Sequence, residues 1–164
     1  MKIAKMAAAP IAALAMAVGP VLGAATPAAP PVLLLRDAVA MAQGATAAAE
    51  RGGQAFSIVI VNREGRVILS QRMDGASFKS LELAEGKATT AAVIGAPSRL
   101  LEDALAKGDH SVLSVPGVIA IAGGLPVTVD GATIAAIGVS GGAPKDDEAI
   151  ATAGLARYPG TKPR

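Results

Sequence analysis

The chain has 164 residues, of which 52% are apolar and 17% are charged. This composition suits one globular domain with a substantial core and excludes a disordered chain. The sequence contains no cysteine, which excludes disulfides, thiolate zinc sites and cysteine nucleophiles. Only Phe56, Phe78 and Tyr158 are aromatic, so we predict an aliphatic, alanine-rich core.

The first 25 residues are predicted to be a signal peptide. Lys2 and Lys5 give a positive start, residues 6–18 are apolar, and small residues follow at 21–25. The alternative is an uncleaved membrane anchor, although the apolar run is short for a membrane span. Cleavage would remove two of the 15 basic residues and none of the 13 acidic ones, leaving no net charge. We therefore expect a periplasmic or secreted protein that binds neither nucleic acid nor, after cleavage, a membrane.

Residues 26–31 are predicted to form a proline- and alanine-rich linker, and residues 32–160 a single domain. Periodicity and capping signals predict four helices in this domain, over residues 32–51, 77–94, 98–107 and 145–157. Apolar runs predict five strands, over residues 56–61, 66–72, 118–122, 127–129 and 132–139. This order of helices and strands predicts an α/β sandwich with a mixed or antiparallel sheet.

Local signals add detail to these elements. The residues expected to face the core from the first helix share helical spacing: Leu35, Val39, Ala42 and Thr46. Ser77 and Ser98 are expected to cap the helices that follow them. Asp130-Gly131 favours a hairpin with a type I′ turn. The run 132–139 lacks a polar face, so it is predicted to lie at the centre of the sheet.

Several short motifs follow one another along the predicted domain. They are Asp74-Gly75-Ala76, Lys87-Ala88-Thr89-Thr90-Ala91, Pro116-Gly117-Val118, Gly123-Gly124-Leu125-Pro126-Val127, Ile137-Gly138-Val139-Ser140-Gly141-Gly142, Asp147-Glu148 and Ala153-Gly154-Leu155. In this order the chain resembles the GlcG/HbpS family of haem-binding-type proteins, from about residue 32 to residue 157. The resemblance implies a profilin-like α-β-α sandwich with a five-stranded antiparallel sheet flanked by helices. It also implies assembly into homo-oligomers and, in some members, binding of haem or iron.

The candidate ligand-binding residues combine two basic side chains with two glycine loops. Arg72 and Lys87 are expected to point toward the loops Gly123-Gly124 and Ser140-Gly141-Gly142. Backbone N–H groups in such loops can cradle a carboxylate or a porphyrin propionate.

A purely structural interpretation of the same residues stays open. Arg72 would then pair with Asp74 or Glu82 at the surface, and Lys87 would be a solvated helix residue. The glycines would serve tight turns and close helix packing. The acidic run 146–148 is interpreted as favouring the dipole at the start of the last helix rather than as a metal site.

Haem is the candidate cofactor, and His110 is the candidate metal ligand, although a lone loop histidine is also compatible with a solvated side chain. Tyr158, Met41 and Met73 are the other side chains in the mature chain that can ligate haem iron. The sequence thus predicts a protein that binds a small ligand. The alternatives are an enzyme acting on a small organic acid or aromatic substrate, held by Lys87 or Arg72, and a structural or sensory partner protein without a ligand.

Overall fold

A computed structural model describes residues 31–160, and the predicted signal peptide and nearly all of the predicted linker lie outside the described residues. The described elements are, in chain order, α1 (Leu35–Arg51), β1 (Ser57–Asn62), β2 (Val67–Arg72), α2 (Phe78–Ile94), α3 (Arg99–Ala106), a 3₁₀ helix (His110–Ser114), β3 (Gly124–Val129), β4 (Ala132–Ser140) and α4 (Pro144–Leu155). Within residues 31–160, no helix is both long and apolar enough to cross a bilayer.

The strands form one antiparallel sheet in the order β2-β1-β4-β3, with helices on both faces. α2 covers one face, and α1 and α4 pack together over the other. Side chains alternate along β1 accordingly: Val59 and Val61 pack with the alanines of α2, whereas Ile58 and Ile60 join the core beneath α1 and α4. Because both faces are covered, β1 and β4 can be apolar on both sides. The predicted α/β sandwich and the central position of β4 are confirmed.

The prediction of five strands is wrong, because the described sheet has four. Residues 118–122, predicted as a strand, have no regular secondary structure. Their backbone groups bond to side chains of α2 and of the start of α3 instead of to a neighbouring strand. The N–H of Ile119 donates to Oγ1 of Thr90 (2.7 Å), and the carbonyl of Ile121 accepts from Oγ of Ser98 (2.7 Å). These bonds take the place of some of the hydrogen bonds that a strand partner would supply.

Two local predictions are confirmed by the backbone. Asp130 and Gly131 have φ angles of 50° and 79°, the positive values that a type I′ turn requires at both central positions. Ser77 caps α2, where its hydroxyl accepts a hydrogen bond from the N–H of Ser80 (3.1 Å). Ser98 precedes α3, as predicted, but its hydroxyl does not cap the helix. It bonds to Ile121 and to the N–H at the start of β3 instead.

The predicted buried face of α1 is rotated from the observed one. Leu35 is 61% exposed and Val39 is 37% exposed, although both were expected to face the core. The residues that face the core are mostly small: Ala38, Met41, Ala42, Ala45 and Ala49. Alanines also occur on the other stripes of this helix, so apolar spacing alone does not distinguish the inner stripe from its neighbour. The outer stripe therefore leaves two large aliphatic side chains in contact with solvent.

Two paired glycines let α2 lie directly on the sheet. Gly124 of β3 and Gly138 of β4 face each other in register beneath α2. A Cβ at Gly124 would overlap the carbonyl of Lys87, and a Cβ at Gly138 would overlap the carbonyl of Ala84. The helix backbone thus occupies the space that two side chains would need. These glycines serve close packing, which is the structural interpretation offered by the sequence.

We predict that Gly124→Ala or Gly138→Ala lowers the free energy of unfolding by at least about 2 kcal/mol, because each new methyl group would push against helix backbone. Urea unfolding of each variant measures the change. Gly52→Ala at the end of α1 is the control, since its φ is −81° and its new Cβ would lie 3.4 Å from the nearest atom. A loss at Gly52→Ala equal to the loss at Gly138→Ala would contradict the close-approach explanation.

Candidate functional site

The antiparallel order brings the predicted ligand-binding residues to one end of the sheet. Arg72 ends β2, Gly124 begins β3, and Ser140 ends β4. Gly123 and Gly141 are the neighbouring residues in the chain. Ser57, at the start of β1, is paired with Arg72 on one side and with Ser140 on the other. Lys87 reaches the same end from α2, because its backbone lies against Gly124.

A buried ion pair between Lys87 and Asp147 lies at this end of the sheet. Nζ of Lys87 is 2.5 Å from Oδ2 of Asp147, and each side chain is 2% exposed. The other carboxylate oxygen accepts a hydrogen bond from the N–H of Gly142 (2.9 Å). Lys87 belongs to α2 and Asp147 to the first turn of α4, so the pair joins helices from opposite faces of the sheet. The interpretation of Lys87 as a solvated helix residue is therefore wrong.

Gly123 provides the gap in which the two side chains meet. Its φ is 120°, and an added Cβ would lie 2.9 Å from Cβ of Asp147 and 3.1 Å from Cδ of Lys87. The carbonyl of Val139 would be only 2.7 Å away. A side chain at this position would therefore separate α2, α4 and β4. The absence of a Cβ at Gly123 is a requirement of the ion pair.

The chain's own carboxylate occupies the glycine loop that was predicted to cradle an anion. Asp147 accepts from Gly142 and interacts favourably with the backbone N–H of Gly141. It also holds the ammonium group of Lys87. An external carboxylate at this loop would have to displace Asp147 and leave a buried acid without partners. The binding role of this glycine loop stays a prediction, and binding there would require the displacement of Asp147.

Asp147 was not among the predicted site residues, although its position carries a signal. It lies four residues before Ala151 and seven before Gly154, and these three are the buried residues of α4. The spacing i, i+4, i+7 marks one helix face, so an acid on that stripe is a candidate for burial with a cation. The helix dipole favours all the acids at residues 146–148, whereas this spacing identifies the one that is buried.

Burial raises the pKa of the Asp147 carboxyl, against the opposing effects of the Lys87 ammonium and of the loop N–H groups. A raised pKa means that the folded protein binds this proton more tightly than the unfolded chain does. The stability contributed by protonation is complete below about pH 4 and is lost as the pH rises through the raised pKa. At neutral pH, the ammonium of Lys87 therefore has to compensate a buried carboxylate.

We predict that Lys87→Met lowers the free energy of unfolding by about 3 to 5 kcal/mol at pH 7, because it leaves a buried carboxylate without its cation. At pH 4 the loss relative to the wild type should be smaller, since Asp147 can then be protonated. Urea unfolding at the two pH values measures both losses. The double variant Lys87→Met/Asp147→Asn is the matched control and should recover most of the stability. A loss of equal size at both pH values would contradict this account.

Arg72 lies at the corner between β2 and α2 rather than at the glycine loops. Its Nη1 donates to the carbonyl of Ala76 (2.6 Å) and to that of Met73 (3.2 Å). Its guanidinium carbon lies 4.4 Å from the centre of the Phe78 ring. The predicted surface pairing with Asp74 or Glu82 is replaced by these contacts, and Glu82 pairs with a lysine of α2. The backbone bonds fix the cation at the entrance to α2.

Ser57, Ser80 and Ser140 are buried at this end of the sheet. The hydroxyls of Ser57 and Ser80 are 2.8 Å apart, which ties the start of β1 to the first turn of α2. Ser140, on the other side of Ser57, is 5% exposed. These contacts assign Ser57 and Ser80 a structural role, whereas the predicted role of Ser140 in ligand binding stays a prediction.

The side chains that can ligate haem iron differ in their access to solvent. His110 is exposed at the start of the 3₁₀ helix, and Met73 is half-buried beside Arg72. Met41 is completely buried, and Tyr158 packs against the core beneath α1 and α4. Within residues 31–160, no three His, Cys, Asp or Glu side chains form a cluster suited to a metal ion. A haem needs only one axial side chain, so the accessible groups fit this cofactor.

Fold and site together define a small α/β/α domain with one antiparallel sheet and an internal ion pair at one sheet end. Residues 33–156 match the family described as "Haem degrading protein HbpS-like". The chain belongs to this family, and the resemblance seen in the sequence motifs is confirmed.

Individual relatives agree with this assignment. Protein GlcG of Escherichia coli K12 is 29% identical over 92 residues, which are 56% of this chain and 69% of GlcG. HbpS from Streptomyces reticuli, known from the crystal structure of a double mutant, is 36% identical in sequence to this chain. The two structures have a TM-score of 0.73, and the match covers 92% of this chain and 97% of that one. The crystal structure titled "PduOC:Heme Complex" is 26% identical, with a TM-score of 0.74, covering 82% of this chain and 100% of that one.

Proposed function

We propose that this protein binds haem. The observation that carries the proposal is its similarity to the whole of the PduOC chain, whose crystal structure is that of a haem complex. Membership of a family described as haem-degrading supports the same ligand. Exposed His110 and half-buried Met73 offer the kinds of atom that bind haem iron, an imidazole nitrogen and a thioether sulfur. When bound, haem would supply iron-centred redox chemistry, and the chain's own residues would position it.

His110 is accessible enough to serve as the iron ligand. It begins the 3₁₀ helix, and the residue before it, Asp109, caps that helix by accepting from the N–H of Ser111 (3.0 Å). The cap fixes the backbone of the segment while the imidazole faces solvent. The proposal that His110 ligates the iron therefore requires no rearrangement of buried groups.

We expect saturable binding of haem by the purified protein, with a Soret band shifted from that of free haem. The band should move or disappear in His110→Ala, because the imidazole that ligates the iron is removed. Absorbance titration measures both results. Tyr158→Phe is the control, since it removes a different candidate ligand and keeps the aromatic ring.

The titration tests haem binding and ligation of the iron by His110 independently. Saturable binding with an unchanged spectrum in His110→Ala would overturn the role of His110 but keep the haem proposal. A spectrum identical to that of free haem at micromolar protein would overturn the haem proposal itself.

We also propose that the protein acts as a periplasmic or secreted homo-oligomer. The charge pattern of residues 1–25 supports export. Exposed aliphatic side chains support assembly, since a single subunit leaves Leu35 61%, Leu100 53% and Leu113 60% exposed. A neighbouring subunit could cover such side chains and remove them from water.

Export predicts that the mature chain begins near residue 26 when the full sequence is expressed in a bacterium. Intact-mass spectrometry of the periplasmic and medium fractions measures where the chain begins. Leu14→Arg places a charge inside the apolar run of the leader and should block export and cleavage. Recovery of uncleaved chain from the membrane fraction would instead support the membrane-anchor alternative.

A further inference from the structure

Phe78 is an exception to the distribution of aromatic residues in this domain. The sequence contains two phenylalanines and one tyrosine. Phe56 is 1% exposed, and Tyr158 packs against the core beneath α1 and α4. Phe78 is 83% exposed at the first residue of α2. Burial of a phenylalanine side chain stabilises a fold, and this chain leaves one of its few aromatic rings exposed instead.

The Phe78 ring is covered on one face by a fixed cation. Arg72 lies 4.4 Å from the ring centre, within the range of a cation–π contact. The guanidinium is itself held by the carbonyls of Ala76 and Met73. Ser77 caps the helix directly before Phe78, so the backbone that carries the ring is also fixed. The pair thus presents a preorganised aromatic surface next to a positive charge.

The geometry points to the Arg72–Phe78 pair as a contact surface for the porphyrin, an inference that rests on the proposed haem function. A porphyrin is a flat, largely apolar ring with two carboxylates at its edge. Phe78 offers a solvent-exposed aromatic ring for stacking, and Arg72 offers a positive charge that complements the carboxylates. Met73, which follows Arg72 in the chain, is the alternative to His110 as iron ligand at this corner. Ring shape, charge and a candidate ligand coincide at this corner.

The nearby surface hollow fits an anionic ligand less well. It has a volume of about 500 Å³, and its lining includes Arg72 and Met73 together with Glu50 and Asp74. Two carboxylates in one hollow repel the propionates of haem. The glycine loop at the end of β4 is also unfavourable, because Asp147 already takes its N–H groups. The Phe78 ring is not part of this lining and does not use the glycine loop, and it offers apolar exposure next to a cation at the border of the hollow.

The test compares haem affinity in variants at the two ends of α2. We expect Phe78→Ala to raise the dissociation constant for haem about tenfold, because a stacked aromatic contact is lost. Val93→Ala is the matched control, since Val93 is 57% exposed on the same helix and lies near its other end. Phe78→Tyr keeps the ring and should keep the affinity. Circular dichroism and light scattering on each variant report folding and subunit number.

The outcomes separate this inference from the haem proposal. Wild-type binding with equal affinity in Phe78→Ala and Val93→Ala overturns the contact surface and leaves haem binding intact. If Phe78→Ala changes the subunit number but not the affinity, the ring belongs to a contact between copies of the chain, and the inference is again overturned. Absence of haem binding by the wild type overturns both proposals.

Discussion

The ion pair between Lys87 and Asp147 sets the geometry of one end of the domain. It connects α2 on one face of the sheet with α4 on the other, across the gap left by Gly123. Taking both charges out of water costs several kcal/mol each, and the pair is tolerated because the carboxylate also accepts backbone hydrogen bonds. Such a pair is satisfied in only one placement of the two helices. The start of β3, the end of β4 and the first turn of α4 are therefore fixed together.

This internal use of charge changes where a ligand is expected. Lys87 and the glycine loop combine the features of an anion site, yet the anion they hold is Asp147 of the same chain. Arg72 is held by backbone carbonyls, but it lies over a ring that is open to solvent. The two basic residues that the sequence grouped together thus do different work. Lys87 pairs with Asp147 and connects α2 with α4, whereas Arg72 lies over the exposed ring of Phe78.

The sequence predicted the parts of this structure that depend on nearby residues. The Asp130-Gly131 turn, the cap at Ser77 and the central apolar strands follow from spacing and backbone preference within a few residues. The strand predicted over residues 118–122 is absent because a strand depends on its partner. These residues bond instead to side chains of α2 and α3. The ion pair joins positions 60 residues apart, so no local pattern could pair them. The exposure of Phe78 could not be predicted from the sequence either, because an apolar aromatic residue is ordinarily expected to be buried.

The alanine-rich composition has a further consequence for ligand binding. Small residues and glycines bring the backbone of α2 against β3 and β4, so a porphyrin has no room between that helix and the sheet. A large flat ligand is therefore excluded from the layer between α2 and the sheet, and few aromatic rings are exposed on the described residues to contact it elsewhere. In this chain the exposed ring of Phe78, with Arg72 over one face, could provide such a contact. Because a ligand bound on the outside has a second face, that face is in contact with solvent or is covered by another subunit. A subunit that covered this second face would connect the proposed haem binding with the proposed assembly, and the exposed aliphatic side chains of α1 are candidates for such a contact.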